Sequence, residues 1–427
     1  MLDTYFVNCY VTGQLDGRPR ASLARVGRLR ERHGRVRKRH HLLSRAAAAA
    51  ATLLLVGAAA ACSSGGSSSA GDSAGDAAAS ASSSASSPGL ATAQAFVAKY
   101  QAEPASIGST TPLPGPVPKG KTIVFPENDN PQTRYVEQGM AAAAKALGLN
   151  LKVIPYALAQ APASLLSAMQ TALQLKPYAV VVTGTDEALW QNLIPAFAAA
   201  HVYIIPQYCG VITKPSPWIL PQVGTPADSA LAGQIVASKF ISESNGQGQA
   251  VLVNVPDISV LGGGGEAIES TVKQTCPACK LTTVNIPVSQ FATDGGVSNA
   301  ISALQRNPGA KYVLTEQGAS DQGLPAALSA AGLSGVQIIG FNPSTTALQY
   351  AKDGQALGFA TTSFGIIGWM VVDVAAQKLA GVSTPDPGGI PVQLLVKSNL
   401  ADMNPIPPDV PIPTGYEQMY LKKWNMS

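Results

Sequence analysis

Residues 178–205 read YAVVVTGTDEALWQNLIPAFAAAHVYII, and this stretch decides the fold class. Two short apolar runs, Tyr178–Val182 and Val202–Ile205, flank a segment of helical composition at Glu187–Ala200. Continuous apolar strands joined by helices of ten or more residues are typical of parallel βαβ units. The stretch therefore predicts one unit of an α/β protein.

The same alternation extends in both directions from this unit. The further predicted strands are 122–125, 151–154, 250–255, 281–286, 312–315, 336–341 and 357–361. The further predicted helices are 132–147, 163–175, 228–244, 265–275, 297–305, 323–331 and 345–352. The series restarts after Pro226, so the chain consists of two consecutive α/β halves. Ligands of such sheets bind beyond the carboxyl ends of the strands, so two facing halves would form a cleft.

Length and charge restrict the function classes. A chain of 427 residues exceeds one typical core and predicts two domains or lobes. The net charge of +4 combines a basic leader, 1–61, which has eleven basic and three acidic residues, with a body that has 18 basic and 22 acidic residues. A weakly acidic body argues against nucleic-acid binding, which needs a clustered cationic surface.

Metal and enzyme chemistry have little support in the body of the chain. Three of the four histidines lie in the leader, and the fourth, His201, stands where a helix is predicted to end. A metal site built on several histidines therefore has no ligands there, and we expect neither a metal nor a cofactor. No Gly-x-Ser-x-Gly nucleophile motif follows a predicted strand, and the one match to that spacing, 71–75, lies in the Ser/Ala/Gly tract, so we expect that the protein is not an enzyme.

The leader, 1–61, has the pattern of a signal peptide. A cationic segment that ends at Arg45 precedes the uncharged stretch 46–61, which is too short for a typical transmembrane helix. The stretch ends in Ala59-Ala60-Ala61-Cys62, which resembles a bacterial lipobox. We expect cleavage before Cys62, lipidation of its thiol and an extracytoplasmic, membrane-anchored protein. The alternative is ordinary cleavage next to an incidental cysteine.

Residues 62–118 read as a linker. The stretch from Ser63 to Pro88 is almost wholly Ser, Ala and Gly, a composition that forms flexible coils. A short helix is compatible with Ala93–Gln101, and four alternating prolines follow at 112–118. We expect this tract to hold a globular body, which begins near Lys119, away from the membrane.

Five segments of the body resemble ribose-type periplasmic binding proteins. They are KTIVFPENDNP at 121–131, KALG at 145–148, YAVVVT at 178–183, AKYVLT at 310–315 and VQIIGFN at 336–342. The resemblance covers about residues 119–397. It implies a type I solute-binding protein of an ABC importer, in lipoprotein form, with two Rossmann-like lobes that have parallel sheets and are joined by three hinge crossings.

The resemblance also implies the lobe boundaries. The crossings would fall near 224–226, 362–364 and 389–391. The N-lobe would comprise 119–225 plus 364–390, and the C-lobe 226–363 plus 391–427. In such a protein the ligand lies between the lobes.

The loops after the strands then supply the candidate ligand-binding residues. They are Asn128, Asn130, Gln132, Arg134, Asp186, Gln207, Tyr208, Gln317, Asn342 and Ser363. Capping of a helix explains Asn130 and Asp186 equally well, and a solvated helix position explains Arg134. A neutral amide side chain can both donate and accept hydrogen bonds, which suits a polyhydroxylated or amide-bearing solute.

The sequence also departs from the sugar-binding pattern. Gln132 and Thr133 stand where relatives often have aromatic residues, and Gln207-Tyr208 replaces an Asp-Arg pair. The glycine run 262–265 predicts either an anion-binding backbone or a flexible entry loop. A charged clamp on the ligand is therefore not expected.

The cysteines of the body allow one local bridge. Cys276 and Cys279 are separated by two residues, and outside the cytoplasm a disulfide between them is favoured. A redox motif or half of a zinc site would have the same spacing, but no second Cys-x-x-Cys pair follows. Cys209 would stay unpaired.

Two functions remain from this reading. The first is a lipid-anchored monomer that captures a small polar solute, sugar-like or polyol, and delivers it to an ABC permease with its ATPase. The alternative is an exported sensory binding protein that signals to a membrane partner without transport.

Overall fold

The structure, a computed structural model, describes residues 88–426 except 257–258. The leader, Cys62 and most of the Ser/Ala/Gly tract lie outside the described residues. Within the described part of the chain, none of the helices combines the length and apolar character that crossing a membrane requires.

The first half of the chain forms a four-stranded parallel sheet. Its strands are β1 (Thr122–Asn128), β2 (Asn150–Tyr156), β3 (Ala179–Thr183) and β4 (Tyr203–Gln207), in the order β2-β1-β3-β4. All five residues of β3 are buried, as expected for a strand covered on both faces. The lobe built on this sheet is called the N-lobe below.

The second half forms a six-stranded sheet. Its strands are β5 (Gln249–Asn254), β6 (Lys280–Asn285), β7 (Tyr312–Thr315), β8 (Gln337–Phe341), β9 (Gly358–Thr361) and β10 (Gln393–Leu395). The order is β10-β9-β8-β7-β5-β6, and β10 is antiparallel to β9 while the other pairs are parallel. The lobe built on this sheet is the C-lobe, and the predicted α/β class with parallel sheets is confirmed.

The helices alternate with the strands along the chain. They are α1 (Pro88–Gln101), α2 (Pro131–Leu147), α3 (Ala163–Gln174), α4 (Glu187–Trp190), α5 (Ile194–Ala199), α6 (Pro226–Glu243), α7 (Ser259–Thr275), α8 (Val288–Asp294), α9 (Val297–Arg306), α10 (Gly318–Asp321), α11 (Leu324–Ala330), α12 (Thr345–Asp353), α13 (Phe364–Leu379), α14 (Lys397–Leu400) and α15 (Tyr416–Lys423). The single helix predicted over 187–200 is divided into α4 and α5, because Pro195 near the start of α5 cannot donate a helical hydrogen bond.

Helix α2 shows how the sequence fixes where a helix begins and ends. The Asn130 side chain accepts a hydrogen bond from the Gln132 backbone N–H at 2.9 Å, and Pro131 occupies the first helical position. The helix ends at Gly148, whose φ of 69° closes the last turn in a left-handed conformation. The first turn of α2 is thereby held at the carboxyl end of β1.

The glycine run 262–265 is not a loop. It lies inside α7, where the absence of side chains lets α7 approach α6 and β8 closely. A Cβ atom on Gly233 of α6 would lie 2.1 Å from the Gly264 carbonyl oxygen, and one on Gly264 would lie 2.4 Å from Cζ of Phe341. The expectation of an entry loop is therefore wrong, because the run is helical and close packing requires glycine at 264.

Both ends of the described chain extend the lobes beyond the predicted boundaries. Leu90, Ala93 and Val97 of α1 belong to a hydrophobic cluster of the C-lobe, so 88–101 is not a linker. At the other end, Tyr416, Tyr420 and Trp424 are buried in the N-lobe core with Trp369 of α13. The prediction assigned 391–427 to the C-lobe, and the structure places these last aromatic residues in the N-lobe instead. The apolar face of α15 packs against Trp369 of α13.

Cys276 and Cys279 form a disulfide in the structure, with their Cα atoms 5.3 Å apart. The bridge joins the end of α7 to the start of β6. Cys209 is a free, buried thiol, and burial raises its pKa to about 12.

Candidate functional site

A cavity of about 170 Å³ lies between the two lobes, at the carboxyl ends of the strands. The N-lobe contributes the first turn of α2, and the C-lobe contributes the segments after β7 and β8. The start of α13 and the C-terminal segment complete the wall. The lining residues are Pro131, Gln132, Tyr135, Gln317, Gly318, Ala319, Gln322, Asn342, Pro343, Ser344, Thr345, Thr346, Phe364 and Pro408.

This lining contains no charged side chain among the described residues. Its polar groups are amides, hydroxyls and backbone, which offer donors and acceptors without a net charge. Tyr135 and Phe364 add two aromatic side chains from the N-lobe side. Such a lining can bind a neutral solute that carries several hydroxyl groups on an apolar frame.

Three of the predicted residues meet in this cavity. Gln132 comes from α2, Gln317 follows β7 and Asn342 follows β8. Asn342 has a φ of 50°, a left-handed conformation that asparagine tolerates better than most residues. Its backbone N–H donates to the Ala360 carbonyl at 3.1 Å, and its carbonyl accepts from the Gly318 N–H at 3.0 Å. Asn342 is thus fixed at the junction of the two C-lobe segments.

Four other predicted residues are engaged elsewhere. The Asn128 Oδ1 accepts from the Asn130 N–H at 3.0 Å, and Asn130 caps α2. Arg134 pairs with Glu137 at 3.5 Å and keeps 64% of its side chain exposed, so a solvated helix position describes it. The Ser363 hydroxyl donates to Asp409 at 2.8 Å and is fully buried. None of these four belongs to the cavity lining.

Asp186, Gln207 and Tyr208 follow the strands β3 and β4 and are also absent from the lining. Asp186 occupies the N-cap position of α4, without a side-chain capping bond. Gln207 is 2% exposed, and its Oε1 has no hydrogen-bond partner among the described protein groups. Tyr208 borders a separate cavity of about 20 Å³ that also touches Asn342. These residues surround the strand ends of the N-lobe without reaching the cavity.

Two buried acids beside Gln317 were missed by the sequence reasoning. Glu316 and Asp321 are both fully buried, and burial raises the pKa of each carboxyl group to about 7. The Glu316 Oε2 accepts from the Val255 N–H at 3.0 Å, and the Asp321 Oδ1 accepts from the Thr315 hydroxyl at 2.7 Å. The Asp321 Oδ2 has no partner among the described protein groups. Nothing in the sequence distinguishes them from surface acids.

A larger groove, of about 620 Å³, lies beside α13 and is lined by residues between 210 and 226 and between 378 and 385. Five of its lining residues are prolines, and it contains none of the polar residues that follow the strands. The smaller cavity is the better candidate site, because both lobes contribute side chains to it. Among the described residues, no group of three His, Cys, Asp or Glu side chains could hold a metal ion.

Comparison with solved structures shows proteins of the same architecture. A periplasmic ribose ABC transporter structure from Conexibacter woesei superposes with a TM-score of 0.59 at 17% identity, covering 68% of this chain and 97% of that chain. The 5-methylthioribose transporter solute binding protein from Thermotoga lettingae gives 0.55 at 16% identity, covering 70% and 91%. An ABC transporter solute binding protein from Agrobacterium vitis with bound allitol gives 0.55 at 18% identity, covering 67% and 98%. These likenesses concern the fold.

Comparison with family profiles gives a direct assignment, whereas no curated protein sequence matches the chain significantly. The profile described as the periplasmic binding protein domain matches residues 122–383, which is more than half of the chain. That range includes all strands of the N-lobe and five of the six strands of the C-lobe. The chain belongs to the periplasmic binding protein domain family and has its type I α/β fold.

Proposed function

We propose that this protein binds a small uncharged solute with several hydroxyl groups, a sugar or a polyol, between its lobes. The observation that carries the proposal is the uncharged lining of the cavity, to which both lobes contribute polar side chains. A carboxylate or phosphate ligand would need a cationic partner, and Arg134 points its charge to Glu137 and solvent instead. Related folds with bound allitol and 5-methylthioribose support the same solute class.

Capture follows from the division of the site between the lobes. Gln132 lies on one side of the cavity, and Gln317 and Asn342 lie on the other. A solute that bridges them gains hydrogen bonds from both lobes only when the lobes are closed. Binding would therefore shift the population of open and closed forms towards the closed form.

Delivery completes the proposed function. We propose that the monomeric protein is lipidated at Cys62, remains extracytoplasmic and transfers its solute to an ABC permease and the associated ATPase. The uncharged stretch 46–61, which ends in three alanines directly before Cys62, supports this arrangement, because it has the pattern of a cleaved signal peptide followed by a lipidated cysteine.

A solute screen tests the proposal. The melting temperature would be measured with neutral pentoses, hexoses and polyols, and in parallel with amino acids and sugar phosphates. A ligand at 100 times its Kd stabilises the folded protein by about 2.7 kcal/mol, enough to be seen as a higher Tm. We expect the neutral polyhydroxylated compounds to raise the Tm. A response restricted to charged compounds would contradict the proposal.

A further inference from the structure

The C-terminal segment 401–424 is held by both lobes. Ile406, Val410 and Ile412 are buried in a hydrophobic cluster of the C-lobe. Only Pro413, Thr414 and Gly415 separate Ile412 from Tyr416, which is buried in the N-lobe core. The chain therefore passes from the C-lobe to the N-lobe once more after the three hinge crossings predicted from the sequence.

The N-lobe end of this segment is strongly fixed. Trp424 stacks on Trp369 with ring centroids 5.2 Å apart and an angle of 14° between the rings. The Lys423 ammonium donates to the Asp373 carboxylate at 2.7 Å, and both side chains are almost fully buried. The Trp424 indole N–H donates to the other oxygen of Asp373, also at 2.7 Å. Removing one member of a buried ion pair leaves an uncompensated charge, so this end does not detach easily.

Asp409 joins the segment to the second hinge crossing. Its carboxylate accepts hydrogen bonds from the Ser363 hydroxyl at 2.8 Å, the Phe364 N–H at 2.7 Å and the Gly365 N–H at 2.8 Å. The backbone around Asp409 is held by the C-lobe through Ile406 and Val410, whereas Phe364 and Gly365 begin α13, which packs on α2 in the N-lobe. The bonds from Phe364 and Gly365 therefore connect the lobes, and the bond from Ser363 holds Asp409 at the crossing itself.

The connection lies next to the candidate site. Pro408 and Phe364 both line the cavity between the lobes. Pro408 directly precedes Asp409, and the Phe364 N–H donates to the Asp409 carboxylate. A rotation that separates the lobes must shift 406–412 with the C-lobe and 416–424 with the N-lobe. The four residue steps from Ile412 to Tyr416 span roughly 14 Å at most when fully extended. The link therefore limits how far these two buried residues can move apart.

We propose that the segment 401–424 is a fourth link between the lobes that restrains their opening, with Asp409 as its contact at the hinge. The link favours the arrangement in which both lobes reach one solute. Its effect on affinity rests on the proposed solute binding, whereas its effect on the shape of the protein without ligand does not.

Two variants of the otherwise complete protein test the link. Asp409→Ala removes the contact at the hinge, and a Gly-Ser-Gly insertion between Pro413 and Thr414 lengthens the link while keeping Asp409 and the aromatic anchor. The matched control is the same insertion between Ser334 and Gly335, an exposed turn of the C-lobe. Thermal melting would establish that each variant is folded before it is compared.

Small-angle X-ray scattering without ligand gives the primary result. We expect a larger radius of gyration than wild type for both Asp409→Ala and the lengthened link, and no change for the control. Wild-type dimensions in the lengthened-link variant would overturn the proposal, even if Asp409→Ala failed to fold. A variant whose closed fraction falls to one tenth of the wild-type fraction should bind a solute from the screen with an affinity about tenfold weaker. Failure of the screen alone would contradict the solute proposal and leave the scattering result to decide the link.

Discussion

Asn342 and Gln317 are the residues on which the proposed recognition depends most directly. Both lie on the C-lobe side of the cavity, and the backbone of Asn342 is fixed by two hydrogen bonds. Replacing either by Ala would leave a solute hydroxyl buried without a partner. We expect a loss of about 1–3 kcal/mol in binding, or roughly 5- to 150-fold in Kd.

Titration calorimetry with a solute from the screen would measure this loss. Arg306→Ala is the control, because Arg306 ends α9 and is not part of the lining. The Tm without ligand should change little in Gln317→Ala, whose side chain borders a cavity, and should fall modestly in Asn342→Ala, because alanine tolerates the left-handed backbone at 342 less well than asparagine. Wild-type affinity in both Asn342→Ala and Gln317→Ala would show that the solute binds elsewhere.

The buried acids Glu316 and Asp321 should make the stability depend on pH. Burial raises both carboxyl pKa values to about 7, from ordinary values of 4.5 and 3.8. Between these limits the folded protein binds more protons than the unfolded chain, so stability falls as the pH rises from about 4 to about 7 and then levels off. The Glu269 carboxylate adds to the shift at Glu316, whereas the Thr315 hydroxyl opposes the shift at Asp321.

Asp321→Asn tests this dependence, because it keeps the shape of the side chain and removes the ionisation. Urea unfolding at several pH values between 4 and 8 would give the free energy of unfolding for both proteins. We expect a shallower decline in Asp321→Asn, with the gain over wild type greatest above pH 7. Equal slopes for Asp321→Asn and wild type would contradict the assignment.

At the scale of elements, the contact between α6 and α7 depends on glycine. A Cβ atom on Gly233 would lie 2.1 Å from the carbonyl oxygen of Gly264, a backbone atom that can move only with its helix. Overpacking of this kind costs about 1–3 kcal/mol, which opposes the roughly 1 kcal/mol that alanine gains over glycine in a helix. We expect Gly233→Ala to lower the free energy of unfolding.

Gly335→Ala is the matched control for this prediction. No atom lies within 4 Å of a Cβ placed there, and its φ is not in the left-handed region. Its free energy of unfolding should equal or slightly exceed that of wild type. A Gly233→Ala protein as stable as Gly335→Ala would mean that the two helices separate without cost.

The elements show why the sequence predicts the strands well and the glycine run poorly. Strands such as β3 are short apolar runs between turn residues, and a local pattern is sufficient to find them. The run 262–265 has the composition of a loop, yet it is helical because Gly264 packs against Phe341 on a distant strand. Such tertiary packing overrides local propensity, and one sequence does not display it.

At the scale of the whole molecule, the two α/β halves follow from the repeated pattern, but the closing segments do not. The tyrosines and tryptophan at 416, 420 and 424 recur at helical spacing, which predicts one apolar face. Their partner, Trp369, lies about fifty positions earlier, and the spacing does not identify it. For the same reason Asp409 was missed: its three donors belong to the start of α13.

The sequence pattern identified part of the candidate site and missed how deeply some of its residues are buried. Gln132, Gln317 and Asn342 follow strands that the pattern identified, and the edge rule for parallel sheets brings them together. Gln207 follows a strand in the same way, but the rule does not say how deep a side chain lies. In the structure it is buried beneath the strand ends, so depth separates it from the cavity.

The proposed membrane anchor would be a property of the whole molecule that depends on one atom, the Cys62 sulfur. The sixteen apolar or small residues of 46–61 precede it, and no helix among the described residues could span a membrane in its place. Acylation with two or more chains holds a protein on a bilayer far better than one chain does. We expect Cys62→Ser to move the protein from the membrane fraction to the soluble fraction of the cells that export it.

Cys209→Ser is the control for this experiment, because Cys209 is a free and buried cysteine. We expect the Cys209→Ser protein to stay in the membrane fraction. Cys209→Ser should bind solute with wild-type affinity, because the Cys209 sulfur does not border the cavity. Mass spectrometry of the purified protein would show the acyl mass on the peptide that begins at residue 62. If Cys62→Ser remained with the membrane, the small residues before it would mark ordinary cleavage.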